Sequence, residues 1–174
     1  MEELYAHLQT IGVKAQLLEA TNDRELTGRK RSWGEKSESV IQIADRSIDF
    51  VSVVSVSSQY GTDYYLEYLV MSPGHTGGST MKKTRMIRKK RPRIWGRAVD
   101  IEWRGDPHLS SRLDFDYDLK HMLLQLDRSA LKGGISIIPE PKHGHTRIRT
   151  SHQLPSPDLF KAIDAIARHV KSWA

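Results

Sequence analysis

The densest concentration of residues able to do chemistry is the run KKTRMIRKKRPR at 82–93. It holds eight cations, Lys82, Lys83, Arg85, Arg88, Lys89, Lys90, Arg91 and Arg93, and no acid. Such a run repels itself and needs water or anions around it. The phosphates of a nucleic acid, or the headgroups of an anionic membrane surface, supply those anions and release condensed counterions as they bind. Trp95, Tyr64 and Tyr65 stand on flanking elements, and their rings suit stacking with unpaired bases. The competing readings are a solvated charged segment and a nuclear-import-type signal. A second cationic strip, His145, Arg147 and Arg149, alternates along one prospective strand. Hairpins with one wet face normally turn such residues into water, so a solvated strip is expected there.

The remaining patterns fall short of the chemistry they suggest. GHTGGSTMKKT at 74–84 lacks the lysine that a phosphate-cradling P-loop places directly after its last glycine, and reads as a glycine-serine connector. His143 and His145, with His152 nearby, supply too few ligands for a stable metal site, which takes about three or four with outer support. Asp114, Asp116 and Asp118 open no calcium loop, because Leu119 and Gln125 stand where glycine and glutamate are required. Nucleophilic catalysis has no local signature such as G-x-S-x-G. Asp106 and His108 beside Trp103 form the best available catalytic pair, and a polar turn accounts for them equally well. No catalytic residue, metal or cofactor is therefore assigned.

Composition narrows the classes further. The chain has 174 residues, no cysteine and a net charge of +6. Without the eight charges of 82–93, the other 162 residues carry a net −2, so the basic character belongs to one segment. Zero cysteine excludes disulfides, cysteine-ligated zinc, iron–sulfur clusters and a thiol nucleophile, and fits a reducing cytoplasm. The acidic start, Met1-Glu2-Glu3-Leu4, has no apolar run behind it and does not read as a secretory signal. The longest uncharged stretch, 50–62, contains several serines and falls short of the roughly 20 apolar residues a spanning helix needs. A soluble, cytoplasmic protein is expected.

The elements that must position these residues read as α+β with a mainly antiparallel sheet, because strands follow strands without alternating helices. Strands are expected at about 13–18, 40–43, 48–57, 63–71, 95–103, 135–139 and 145–150. Helices are expected at about 2–11, 110–127 and 157–173. Polar residues 21–39 read as a loop. The long helix carries an apolar stripe of Phe115, Leu119, Met122, Leu123 and Leu126, with Ser111 and Asp114 as its capping box. Ser156-Pro157-Asp158 opens the last helix, whose Leu159, Ile163, Ile166, Val170 and Trp173 share one face. Residues 1–174 make a single domain, or two lobes (1–72 and 94–174) joined by a flexible basic loop at 73–93, with a hairpin extension of the flanking strands around Thr84 to Arg88 as the alternative for that part. From residue 48 onward the element order also follows that of an OB-fold.

The function this supports is a non-enzymatic binding module whose polybasic segment, with Trp95, contacts a polyanion. One alternative is a protein-interaction domain using the sheet face or the C-terminal helix. A further alternative is a metal-assisted or acid–base hydrolase drawing on His108, His121, His143, His145 or His152.

Overall fold

A computed structural model describes residues 2–18, 35–71, 80–91, 97–127, 129, 131, 133–151 and 153–173; for 35–39, 91, 97 and 98 it describes the backbone alone. The strands are β1 (Ala15–Leu18), β2 (Glu35–Ile43), β3 (Phe50–Ser58), β4 (Gly61–Met71), β5 (Thr84–Arg91), β6 (Arg97–Arg104), β7 (Ser136–Glu140) and β8 (His145–Ser151). The helices are α1 (Glu2–Thr10), α2 (Pro107–Phe115), α3 (Tyr117–Gln125) and α4 (Pro157–Lys171). All eight strands join one antiparallel sheet in the order β1-β2-β3-β4-β8-β7-β5-β6. The expected α+β antiparallel class is therefore the observed one. This single eight-stranded sheet differs from the five-stranded barrel of an OB-fold.

Period-2 alternation explains how the sheet uses its two faces. One cross-strand row runs Ile41, Val51, Tyr68, Ile148, Ile137 and Thr84. It faces the helices, and its apolar members form a continuous core with Leu4, Leu8, Leu109, Leu113, Leu119, Leu123 and the inner side of α4. The Tyr68 and Phe160 rings meet edge-on at 6.3 Å. Leu159, Ile163, Ile166 and Val170 are buried and Trp173 packs against them. At roughly 1.5–3 kcal/mol for each large apolar side chain, this stripe anchors α4 to the sheet. Its polar side is used as well. Asp164 accepts hydrogen bonds from the backbone N–H groups of Ser47 and Ile48, and Lys171 donates to Asp49 at 2.9 Å.

Four expectations need correction. Residues 84–91 form strand β5, where a loop was expected, and β2 begins at Glu35, inside the stretch read as a loop. Cations dominate β5, yet Thr84 and Met86 alternate inward and are buried, which suffices for a strand. The helix expected at 110–127 is two helices that meet at Asp116. Asp116 leaves helical geometry (φ −82°, ψ 90°) and caps α3 by accepting from the Leu119 N–H. Its other oxygen lies 2.7 Å from the His169 ring. The break turns Phe115 out of the expected stripe, leaving it 71% exposed. Asp106 begins α2, so Ser111 caps nothing and Asp114 instead accepts from the Trp103 N–H.

Candidate polyanion interface

Strand β5 carries most of the basic run. Lys82, Lys83, Arg85, Lys89 and Lys90 are exposed and Arg88 is half-buried. Arg91 continues the strand opposite Arg97. Arg93 and Trp95 lie outside the described residues. Strand β7 pairs with β5 only at Thr84 and Arg85, whereas β6 pairs with it from Arg85 to Arg91. The Met86 N–H still donates to the Ile135 carbonyl oxygen at 3.0 Å. Beyond Met86 the two strands run on as a ribbon whose inner residues Met86 and Ile101 are buried in the core, with a bulge at Lys89/Lys90 that leaves Val99 as the extra, half-exposed residue.

Acids of β6 offset part of this charge. Lys89 lies 2.9 Å from Glu102 and 3.5 Å from Asp100, and Arg104 lies 2.7 Å from Glu102. The Arg104 and Lys89 hydrogen bonds hold the Glu102 carboxyl down at about 2. Lys82, Lys83, Arg85 and Lys90 form no ion pair among the described residues.

The second strip, His145, Arg147 and Arg149, does share one face, as its alternation implies, but that face is not solvated there. It is the sheet face opposite the helices. A charged row crosses six strands on it: Ser52, Glu67, Arg149, Ser136, Arg85 and Arg104. Glu67 is 1% exposed and Arg147 is 5% exposed. One Glu67 oxygen accepts from Arg147 Nη1 at 2.7 Å, and from Arg149 Nε at 2.9 Å and Nη2 at 2.5 Å. Arg147 Nη2 also donates to Glu140 at 2.5 Å. The Arg149 guanidinium lies 4.9 Å over the Tyr65 ring, an added cation–π contact. Charges taken out of water persist only when paired and hydrogen-bonded in this way.

Lys83 joins the same group. Partial desolvation and then repulsion from Arg85, Arg149 and Arg147 lower its pKa. Gly105 fixes where that lysine sits. A Cβ at Gly105 would fall 2.2 Å from the Lys83 carbonyl oxygen, and its φ of 148° is one that side chains disfavour, so only glycine lets β6 end against the start of β5.

The other candidates have structural uses. Asp106 is buried and accepts from the backbone N–H groups of Lys82, His108 and Leu109 and from Trp173 Nε1. Burial alone would raise its carboxyl pKa, but these donors hold it below the usual range. His108 and His121 are exposed on separate helices. His145 is buried, its Nδ1 is 3.2 Å from the His143 carbonyl oxygen, and burial lowers its pKa, which favours the neutral ring. Among the described residues no three histidines or acids are grouped to hold a metal; His152 lies outside them.

No protein-family model, curated protein or solved structure matches this chain. Its site must be read from its own geometry. No described helix is long and apolar enough to cross a membrane.

The residue that sequence reasoning missed is Glu67. Its signal is local: a lone acid within YYLEYLV, a strand otherwise aromatic and aliphatic, needs a buried cation. Its partners lie 80 and 82 positions away, beyond the reach of any spacing argument.

Proposed function

We propose that the protein is a non-enzymatic binding module that engages a nucleic acid through the basic strand β5 and its continuation to residue 93. Lys82, Lys83, Arg85, Arg88, Lys89, Lys90, Arg91 and Arg93 would meet phosphates, and Trp95 would offer a stacking surface. The observation that carries this reading is the ribbon. Its two strands hold seven cations and two acids, and beyond Met86 the strand β5 pairs with β6 alone among the described residues. Paired strands lie about 5 Å apart, and a duplex major groove about 12 Å wide admits a two-stranded ribbon. The cysteine-free composition suits a reducing compartment such as the cytoplasm.

The test is a titration of duplex and single-stranded oligonucleotides over a salt series, comparing the parent with a K90A/R91A variant. The variant should bind more weakly at every salt concentration. Its log–log salt slope should be shallower by roughly 0.7–0.9 for each phosphate contact removed. Unchanged affinity and slope would overturn the reading. Binding of both proteins to anionic vesicles but to neither nucleic acid would reassign the ribbon to a lipid surface.

A further inference from the structure

Among the described residues, two cations of the outer sheet face, Lys83 and Arg85, form no ion pair, and they stand together. Arg149 of β8 and Arg85 of β5 both stand directly opposite Ser136 of β7. The three therefore share a face, with the serine between two guanidinium-bearing residues whose Cα atoms are two strand spacings apart, about 9–10 Å. Lys83 approaches from the start of β5, close enough for Arg85, Arg149 and Arg147 each to repel its ammonium. Behind them Glu67 is 1% exposed and fixes both β8 arginines, while Glu140 takes the second Arg147 nitrogen. The rear of the group is thus buried and rigid, and its front edge, Lys83 and Arg85, is open to water and makes no ion pair among the described residues.

Arg85 and Arg104 stand directly opposite on adjacent strands, a like-charge pairing that destabilises a sheet; Arg104 is answered by Glu102, whereas Arg85 forms no ion pair among the described residues. Arg147 and Arg149 are matched by Glu67 and Glu140, whereas Lys83 and Arg85 form no ion pair among the described residues, which leaves two positive charges there. The deficit matches a phosphate monoester, which carries about −1.5 to −2 at pH 7, better than a bridging phosphodiester with a single charge. Guanidinium groups supply directed N–H donors suited to phosphate oxygens, and the lysine adds a compact charge.

We infer that Lys83, Arg85, Ser136 and Arg149 form a cradle for a terminal phosphate group, held from behind by Glu67 and Arg147. The cradle rests on the polyanion reading for what carries the phosphate, and on its own geometry for the phosphate itself. A 5′-phosphorylated end and a free small phosphate share the chemistry it recognises.

Isothermal titration calorimetry of the full chain with inorganic phosphate, a 5′-phosphorylated dinucleotide and the same dinucleotide ending in a 5′-hydroxyl tests it. The phosphorylated dinucleotide should bind at least about tenfold tighter than the hydroxyl form, the scale of one charge-assisted hydrogen bond. K83A and R85A should each remove most of that difference. Both sites are exposed, so unchanged thermal unfolding should accompany the loss. K90A/R91A should keep the preference. Inorganic phosphate binding as tightly as the phosphorylated dinucleotide, and weakened by the same two substitutions, would support the cradle and assign it a small phosphate. Equal binding of the two dinucleotides, or a preference surviving K83A and R85A, would overturn the cradle and leave the ribbon reading standing. A persistent preference with no effect of K90A/R91A on long oligonucleotides would do the reverse.

Discussion

Strands β8 and β5 are both rich in cations, and the molecule treats them in opposite ways. β8 lies inside the sheet between β4 and β7, so Arg147 and Arg149 are brought against Glu67 and lose most of their water. β5 lies one strand from the edge, so Arg85, Lys89 and Lys90 keep theirs. Residue type is the same in both; position in the sheet decides whether a charge serves architecture or remains available to a ligand.

The sharpest way to break the comparison is to remove the acid. Glu67→Gln leaves Arg147 buried without its full counter-charge and should cost about 3–5 kcal/mol, read as a lowered urea midpoint. The triple variant E67L/R147M/R149M, which replaces the carboxylate and both its arginines by apolar groups, should recover much of that loss. A triple variant no more stable than E67Q would show that this trio is not the unit of stability.

A smaller effect should follow acidification. Asp106 and Asp116 are held below the usual carboxylate range, each against the opposing cost of burial, by hydrogen-bond donors. Their stabilisation is present above about pH 4, the unfolded carboxylate value, and is lost as pH falls through the lower folded values. Burial lowers the pKa of His145, so the unfolded chain takes up its proton more readily, and that contribution begins to fall below about pH 6.5. Urea midpoints measured at pH 8, 5.5 and 3 should fall in that order. A midpoint flat from pH 8 to 5.5 would remove His145 from the account.

The smallest effect belongs to β5. Lys89 pairs with Glu102 and Asp100 at the surface, where water screens ion pairs, so Lys89→Ala should leave the urea midpoint nearly unchanged. A larger loss would mean that β5 is welded into the fold as β8 is.

How much of this the sequence discloses depends on whether the deciding interaction is local. Helix α4 is legible because Leu159, Ile163, Ile166 and Val170 repeat at helical spacing behind an N-capping Ser156, and the observed cap is that serine. Strands β3 and β4 are legible from branched and aromatic runs around a turn. β5 is hidden because its inward signal is reduced to Thr84 and Met86 among cations. The break at Asp116 is hidden because Asp-Tyr-Asp suits the start of a helix as well as its interior, and the contact with His169, 53 positions on, has no local trace. At the candidate site, the basic run and the alternation of His145, Arg147 and Arg149 are readable in sequence. The burial of that strip is not, because it follows from where β8 is inserted.

That insertion bears on how the chain reaches its fold. β4 has β3 on one side from the moment its hairpin forms, but its other edge stays open until β8, more than seventy residues later, arrives. Pairings of such long sequence separation slow folding and leave a hydrophobic strand edge exposed to other chains in the interval. Glu67 stands near the middle of that waiting edge, and a charged side chain on an edge strand is among the devices that discourage a wrong strand from docking. A stranger strand would have to bury the carboxylate unmatched. β8 brings two arginines, two residues apart, and so closes the sheet with that charge matched.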